Sequence, residues 1–429
     1  MASEELIDIS QLKIGMFIHL DLGWMRHPFP LSSFRIGSED QLQVLRKLGL
    51  KQVRWSPEKS QLIDEAPQPA TSHTAGGAGG AAAASDTQTP EQLAAAARRA
   101  ALLAEQQSLA QCEAQYAEAA KALGEVVAQV FANPQSAGQQ AQQLTRSVVD
   151  KMLVAGDINL RLLTEAAGDR ATAHALNVSL ISLLLGRSCG LGEQELMALG
   201  TGALLHDIGK LEVESRFRLR SEQFNQIELS AYQAHVAKGV KLVQGMQVGP
   251  DALAVVAQHH EHADGSGFPM RLSGERMHAL ARIVALVNRF DGLCNPPVAS
   301  KSLTPHEALS LMFAQGRSRF DATLLNAFIR MMGVYPPGSL VQLTDERYAL
   351  VVAVNSSRPL KPRVLVHDSQ VAAEDALTIS LEDHPTLGIR RSLKAADLPR
   401  AATLYLRPRA RFAYFFQASE PAGLGAPEC

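Results

Sequence analysis

HDIGK occupies residues 206–210 and follows the apolar run Ala203-Leu204-Leu205. A histidine beside an aspartate is a metal-binding pair only under a geometric condition, because adjacent side chains on a helix diverge by about 100°. Both can serve one ion, or the aspartate can span two, where further ligands converge from other helices. The chain offers such ligands in His174 upstream and in His235 and His259-His260 downstream. Six of its 13 histidines fall between His174 and His262, and that clustering directs the rest of the reading.

Composition excludes several alternatives. The 429 residues suffice for two or three domains with their own cores. With 41 basic and 43 acidic residues, no broad cationic field draws the chain to a DNA or RNA polymer or to an anionic membrane. Cys112, Cys189, Cys294 and Cys429 lack CxxC spacing, which argues against a disulfide scaffold and against a thiolate zinc site. The opening MASEELIDIS lacks the basic and apolar regions of a signal peptide, and no stretch approaches the roughly 20 apolar residues of a membrane span. A soluble, cytoplasmic protein is expected.

The chain divides into a small N-terminal α/β domain (1–66), an Ala/Gly-rich flexible linker (67–90) and a helical connector (91–156). An all-α domain (157–335) and a C-terminal β extension with its tail (336–429) follow. In the first part, LKIGMFIHL and KQVRW have strand patterning and flank a helix, QLQVLRKLG, closed by Gly49. The connector suits a homodimerisation stalk or simple packing equally well. In the all-α part, one helix runs from His174 toward Gly190 and the next leads from Glu193 into HDIGK. Ser221 opens a helix carrying His235, Asp251 opens one ending at His259-His260, and Met277–Leu293 forms another. Beyond Pro336-Pro337-Gly338 the period changes to that of strands, and TLYLRP (403–408) is a further strand-like piece.

Histidine and carboxylate ligands suit Fe, Mn, Ni, Co or Zn without choosing among them. Two such ions about 3.5–4 Å apart brace both the attacking and the leaving oxygens of a phosphoester. Asp207 is the natural bridge, since a carboxylate has two oxygens. Lys210 is placed to meet a phosphate as a point charge.

HDIGK, His235 and HHEHADGSGFP (259–269), in this order, resemble the HD-GYP branch of the HD-domain metal hydrolases. That family hydrolyses the bacterial second messenger cyclic di-GMP. The likeness covers about 155–340, and the N-terminal segment is similar to a small uncharacterised domain that often precedes such modules. It implies one metal on His174, His206 and Asp207, and a second on Asp207, His235, His259 and His260. His206, Asp207 and Lys210 would carry the catalysis. Lys210, Gly265, Gly267, Phe268 and Pro269 would meet the substrate. Glu261 and Asp264 would hold the loop, and His262 would be a bystander.

The chain departs from that family at four places. Phe268 stands for the usual tyrosine. Asn288, in RIVALVNRFDGL, stands where a metal-binding aspartate is usual and offers only a neutral oxygen. NPPVASKSL (295–303) replaces an Arg-Pro-Tyr-Arg/Lys run, leaving Lys301 as a stand-in cation. Arg170 occupies the place of a glutamate found in three-metal members, which favours two ions. The resulting expectation is a metal-dependent cyclic di-GMP phosphodiesterase yielding pGpG or GMP, responsive to regulatory partner proteins. The competing expectation is a catalytically impaired cyclic di-GMP receptor or protein-interaction module.

Overall fold

The structure is a computed structural model that describes residues 5–29, 32–61, 89–154, 157–316 and 318–418. All but the end of the expected 67–90 linker, and the final tail from 419, lie outside the described residues. Two compact units are present, residues 1–104 and 105–429.

In the first unit, strands β1 (Glu5–Asp8), β2 (Phe17–His19), β3 (Ser33–Arg35) and β4 (Gln52–Ser56) form an antiparallel sheet of order β1-β4-β2-β3. Helix α1 (Glu39–Lys47) starts where the Ser38 side chain accepts from the Gln41 amide, and buries Leu42 and Leu45. These join Leu12, Met16, Ile18, Phe29, Ile36 and Val53 in one core. Gly49, which follows α1, has a positive φ of 73° that favours glycine.

The chain continues as α2 (Pro90–Gln129), α3 (Pro134–Val154) and β5 (Ile158–Leu162). The helices that carry the histidines follow: α4 (Arg170–Ser188), α5 (Glu193–Leu205), α6 (Gln226–Met246), α7 (Pro250–Gln258) and α8 (Ala279–Cys294), then α9 (Pro305–Gln315) and α10 (Ala322–Met332). Helix α4 packs on α5 and α8, and α5 packs on α7. That arrangement brings the ends of α5 and α7 and the middles of α6 and α8 toward one point. Asn225, with Glu228 reciprocating, caps α6. The helix therefore opens four residues later than Ser221, because Asn225-x-x-Glu228 satisfies two orphan amides that Ser221 does not.

The C-terminal strands are β6 (Leu340–Leu343), β7 (Tyr348–Asn355), β8 (Arg363–Val366), β9 (Thr378–Ser380) and β10 (Ile389–Leu393), then α11 (Arg400–Leu406) and β11 (Tyr414–Ala418). The sheet runs β10-β6-β7-β5-β11, with β8 on β7 and β9 on β8. Two expectations are corrected here. The region from 157 is not all-α, because β5 pairs with β7 (Leu160 with Val354) and with β11 (Leu160 with Phe416). TLYLRP is not a strand, because Ala402 and Leu406 are buried four residues apart on one helical face while Leu404 is exposed.

Candidate metal centre

Helix α5 ends at Leu205, so HDIGK turns out of it rather than continuing it. His206 is the C-cap, Asp207 has φ −100° and ψ 6°, and Ile208–Glu212 form a 3₁₀ turn. The turn is possible because Gly209 lies against the backbone of α6. A β-carbon there would collide with the His235 carbonyl and the Gly239 amide.

Four of the five histidines are oriented by their Nδ1. His206 donates to the Ala203 carbonyl (2.7 Å), His235 to that of Tyr232 (2.6 Å) and His259 to that of Val256 (2.8 Å). His174 Nδ1 lies 2.6 Å from Asp291 Oδ2. A carbonyl has no proton to give, so the tautomers of the first three are fixed and their Nε2 lone pairs face inward. The inward atoms crowd together. His174 and His206 Nε2 are 3.2 Å apart, and those of His235 and His259 are 3.3 Å apart.

Asp207 lies between the two pairs. Its Oδ2 is 3.6 Å from His174 Nε2 and 3.4 Å from His206 Nε2. Its Oδ1 is 3.5 Å from His235 Nε2 and 3.7 Å from His259 Nε2. Two groups can thus hold a cation: His174, His206 and Asp207, and Asp207, His235, His259 and His260. Asp207 Oδ1 is buried and has no hydrogen-bond partner. A buried carboxylate oxygen facing unprotonated nitrogens is strongly unfavourable unless a cation occupies the space, so the donor set fits divalent metal.

The electrostatics agree. Burial opposes the Asp207 charge, but Lys210 and His206 outweigh it and hold the carboxyl well below its usual range. Burial, then neighbouring imidazoles, push His259 and His260 well below the usual imidazole range, and burial lowers His235. At His174 burial is overcome by Asp291, and the ring is raised. Lys210 Nζ sits 2.5 Å from Asp207 Oδ2 and 5.8 Å from the centre of the Tyr232 ring.

The loop after α7 is closed from within. Glu261, fully buried, accepts from the amides of Met270 (2.6 Å) and Leu272 (2.9 Å). Phe268 N donates to the His260 carbonyl (3.1 Å), and the Phe268 ring stacks on His260 at 4.5 Å. Gly265 has a φ of 74°, and a β-carbon on Gly267 would strike the Glu261 and His262 backbone. His262 pairs with Ser266 Oγ (3.0 Å) and packs on Phe320, away from the ligand groups.

A family profile described as HD domain matches residues 158–324, and one described as a domain of unknown function, DUF3391, matches residues 5–141. The segment that carries the histidine cluster is thus similar to HD domains. The chain is 26% identical over 364 residues to a cyclic di-GMP phosphodiesterase of Pseudomonas aeruginosa, spanning 84% of each chain. It is 31% identical over 162 residues to the cyclic di-GMP phosphodiesterase response regulator RpfG of Xanthomonas campestris, a match covering 37% of this chain and 43% of that one. Against a protein of Vibrio cholerae named 3'3'-cGAMP-specific phosphodiesterase 3 the identity is 25% over 227 residues, 50% of this chain and 49% of the other.

The positions at which the sequence departs from the HD-GYP pattern are placed as follows. Asn288 is half-buried on α8. Arg170 donates to the Asn295 and Pro296 carbonyls instead of facing the ligands. Lys301 is bound to Glu222 at 2.6 Å. Sequence reasoning missed Asp291, which is fully buried and steadies His174, although its position one turn beyond Asn288 could have pointed to it. It also missed Tyr232, whose hydroxyl is 3.4 Å from His260 Nε2. Asn177 and Asn295 each donate to Asp291 Oδ1 and to the Phe412 carbonyl. Nothing local in sequence announces that link.

Proposed function

We propose that this chain is a metal-dependent phosphodiesterase that hydrolyses cyclic di-GMP, giving pGpG and on further cleavage GMP. The observation that carries this reading is the division of Asp207, one oxygen toward each histidine pair. His174, His206 and Asp207, with a neutral oxygen from Asn288, would hold one divalent ion, and Asp207, His235, His259 and His260 a second. Fe, Mn, Ni, Co and Zn all suit these donors. When bound, such ions supply Lewis-acid stabilisation of a phosphoryl group and acidify water.

The chain's own residues do the rest. The Nδ1 bonds of His206, His235 and His259 keep their Nε2 atoms unprotonated and aimed inward. Lys210, held as an ammonium by Asp207 against the effect of burial, presents a charge to a phosphate oxygen. Gly265, Gly267, Phe268 and Pro269 shape the loop that borders the substrate. Among the described residues no helix is long and apolar enough to cross a membrane. The reading places the activity in the cytoplasm, under control of partner proteins or a homodimer contact through α2.

The test is incubation of anaerobically purified, metal-loaded protein with cyclic di-GMP and separation of the products. Turnover is expected, reduced at least about a hundredfold by His206→Ala or Asp207→Ala. Absence of turnover overturns the reading. Asn288 favours a second one, a cyclic di-GMP receptor, for which the same sample would bind nucleotide tightly without cleaving it.

A further inference from the structure

Helix α10 has two working faces. Leu325, Phe328, Met331 and Met332 are buried, and Phe328 meets Phe290 of α8 with ring centres 5.3 Å apart. Asn326, Ile329 and Arg330, at i, i+3 and i+4, share another face. That face is one wall of an open cavity of about 570 Å³, whose other walls are Phe313 of α9, Val334 and the 357–361 turn between β7 and β8. The walls are held by contacts of their own. Gly333, with a φ of 74°, lies so close to the turn that an added β-carbon would strike the Pro359 carbonyl. His306 Nδ1 donates to the Val334 carbonyl at 2.7 Å, and Ser357 Oγ donates to Asp157 Oδ1 at 2.9 Å. The Lys361 amide donates to the Arg358 carbonyl at 3.1 Å. A preformed surface of this kind lowers the ordering cost of binding.

The lining combines exposed apolar groups with cations. Phe313, Val334 and Leu360 are 42%, 46% and 73% exposed. Single exposed apolar side chains are ordinary, but three around one cavity mark a surface that something covers. Arg330, Arg358 and Lys361 line the same cavity, and among the described residues no carboxylate does. Arg358 pairs with Glu382, whereas among the described residues Arg330 and Lys361 form no ion pair with a carboxylate.

This mixture selects the partner. A purely apolar surface would strip water from Arg330 and Lys361 without replacing it. A bare polyanion would leave Phe313, Val334 and Leu360 wet. A small molecule inside the cavity would leave most of Leu360 in water. We propose that this cavity is the docking site for an acidic segment of a partner protein that carries Leu or Phe between its carboxylates. The apolar side chains would cover Phe313, Ile329, Val334 and Leu360, and the carboxylates would meet Arg330 and Lys361. No ligand of the metal centre lines the cavity, so the inference holds whatever reaction that centre performs.

The experiment titrates full-length protein with a short fluorescent peptide in which Glu is interspersed with Leu and Phe. Two counterparts accompany it, one with Gln for Glu and one of Glu alone. Saturable binding of the first below about 1 mM is expected, with each counterpart about tenfold weaker or worse. Binding should weaken as salt rises. Arg330→Glu and Lys361→Glu should each weaken it about tenfold, and Leu360→Ser about fivefold. All three side chains are exposed, so melting temperatures and bound manganese should stay unchanged, which separates lost docking from lost folding. Absence of saturation by about 1 mM, or binding that ignores all three substitutions, overturns the proposal. Sedimentation supplies two further outcomes. Self-association abolished by the same substitutions would make this face a contact between copies and overturn the partner. Binding to phosphatidylglycerol vesicles in place of the peptide would overturn it as well.

Discussion

At the scale of single residues, the centre joins an ionised Asp207 to imidazoles at His235, His259 and His260 that burial keeps neutral, with one weak position. In the proposed centre Asn288 would bring no charge to the ion held by His174 and His206, so Asn288→Asp is expected to tighten that ion at least about tenfold. Metal retained after dialysis against a chelator series checks it, and unchanged retention would show that Asn288 does not face the ion. The same donors set a pH dependence of the metal-free chain. Burial holds His235, His259 and His260 below the ordinary imidazole value, so the unfolded chain takes up protons that the folded chain refuses. Their contribution to stability is present above about pH 6.5 and is lost as pH falls through that value. His174 is raised and has the opposite sign, but it is one ring against three. The melting temperature of chelated protein should fall between about pH 7.5 and 5.5. A flat or rising profile would contradict the assignment.

At the scale of elements, two glycines in similar surroundings by sequence differ in space. Gly209 lets the 3₁₀ turn after α5 rest on the α6 backbone at His235 and Gly239, and the new methyl of Gly209→Ala cannot be accommodated without moving a ligand helix. A loss of about 2–3 kcal/mol or more, with weakened metal binding, is expected. Gly124, exposed within α2, has nothing within 4 Å of an added β-carbon. Gly124→Ala should instead stabilise by about 0.5–1 kcal/mol. Paired denaturant melts decide both. The elements were unequally legible for related reasons. HDIGK and the histidine pair stand out because ligand residues are chemically rare on apolar helices. INLRL (158–162) alternates apolar and polar residues as a strand does, but it is short, and its partners β7 and β11 lie about 200 and 250 residues downstream, so nothing local shows what it pairs with. In α11 the alternation Thr-Leu-Tyr-Leu imitates a strand, and only the burial of Ala402 and Leu406 reveals a helix.

At the scale of the molecule, the C-terminal strand, for which the sequence suggested no function, is wired to the metal ligands. The Phe412 carbonyl accepts from Asn177 and Asn295, the Phe412 amide donates to Asn295, and the Tyr414 amide donates to Asn177. Both asparagines also bind Asp291, the residue that orients His174. Asn177→Ala should therefore lower stability by about 1–3 kcal/mol and weaken the first ion about tenfold. Manganese titration alongside thermal melts tests the pair of effects, and a stability loss with unaltered metal affinity would sever the link. Sequence reading named the clustered histidines and Asp207 but not this support, because a buried asparagine acquires its meaning from carbonyls brought beside it by folding. The pairing of β5 with β11 also has a meaning in time. A ribosome-bound chain that stops short of residue 412 already contains every histidine and carboxylate of the centre, yet has only β7 of the two neighbours of β5 and no Phe412 carbonyl for Asn177 and Asn295. The support of the centre is complete only once the segment from 412 to 418 has been made, so products terminated before it would lack the bonds that steady Asp291 and His174.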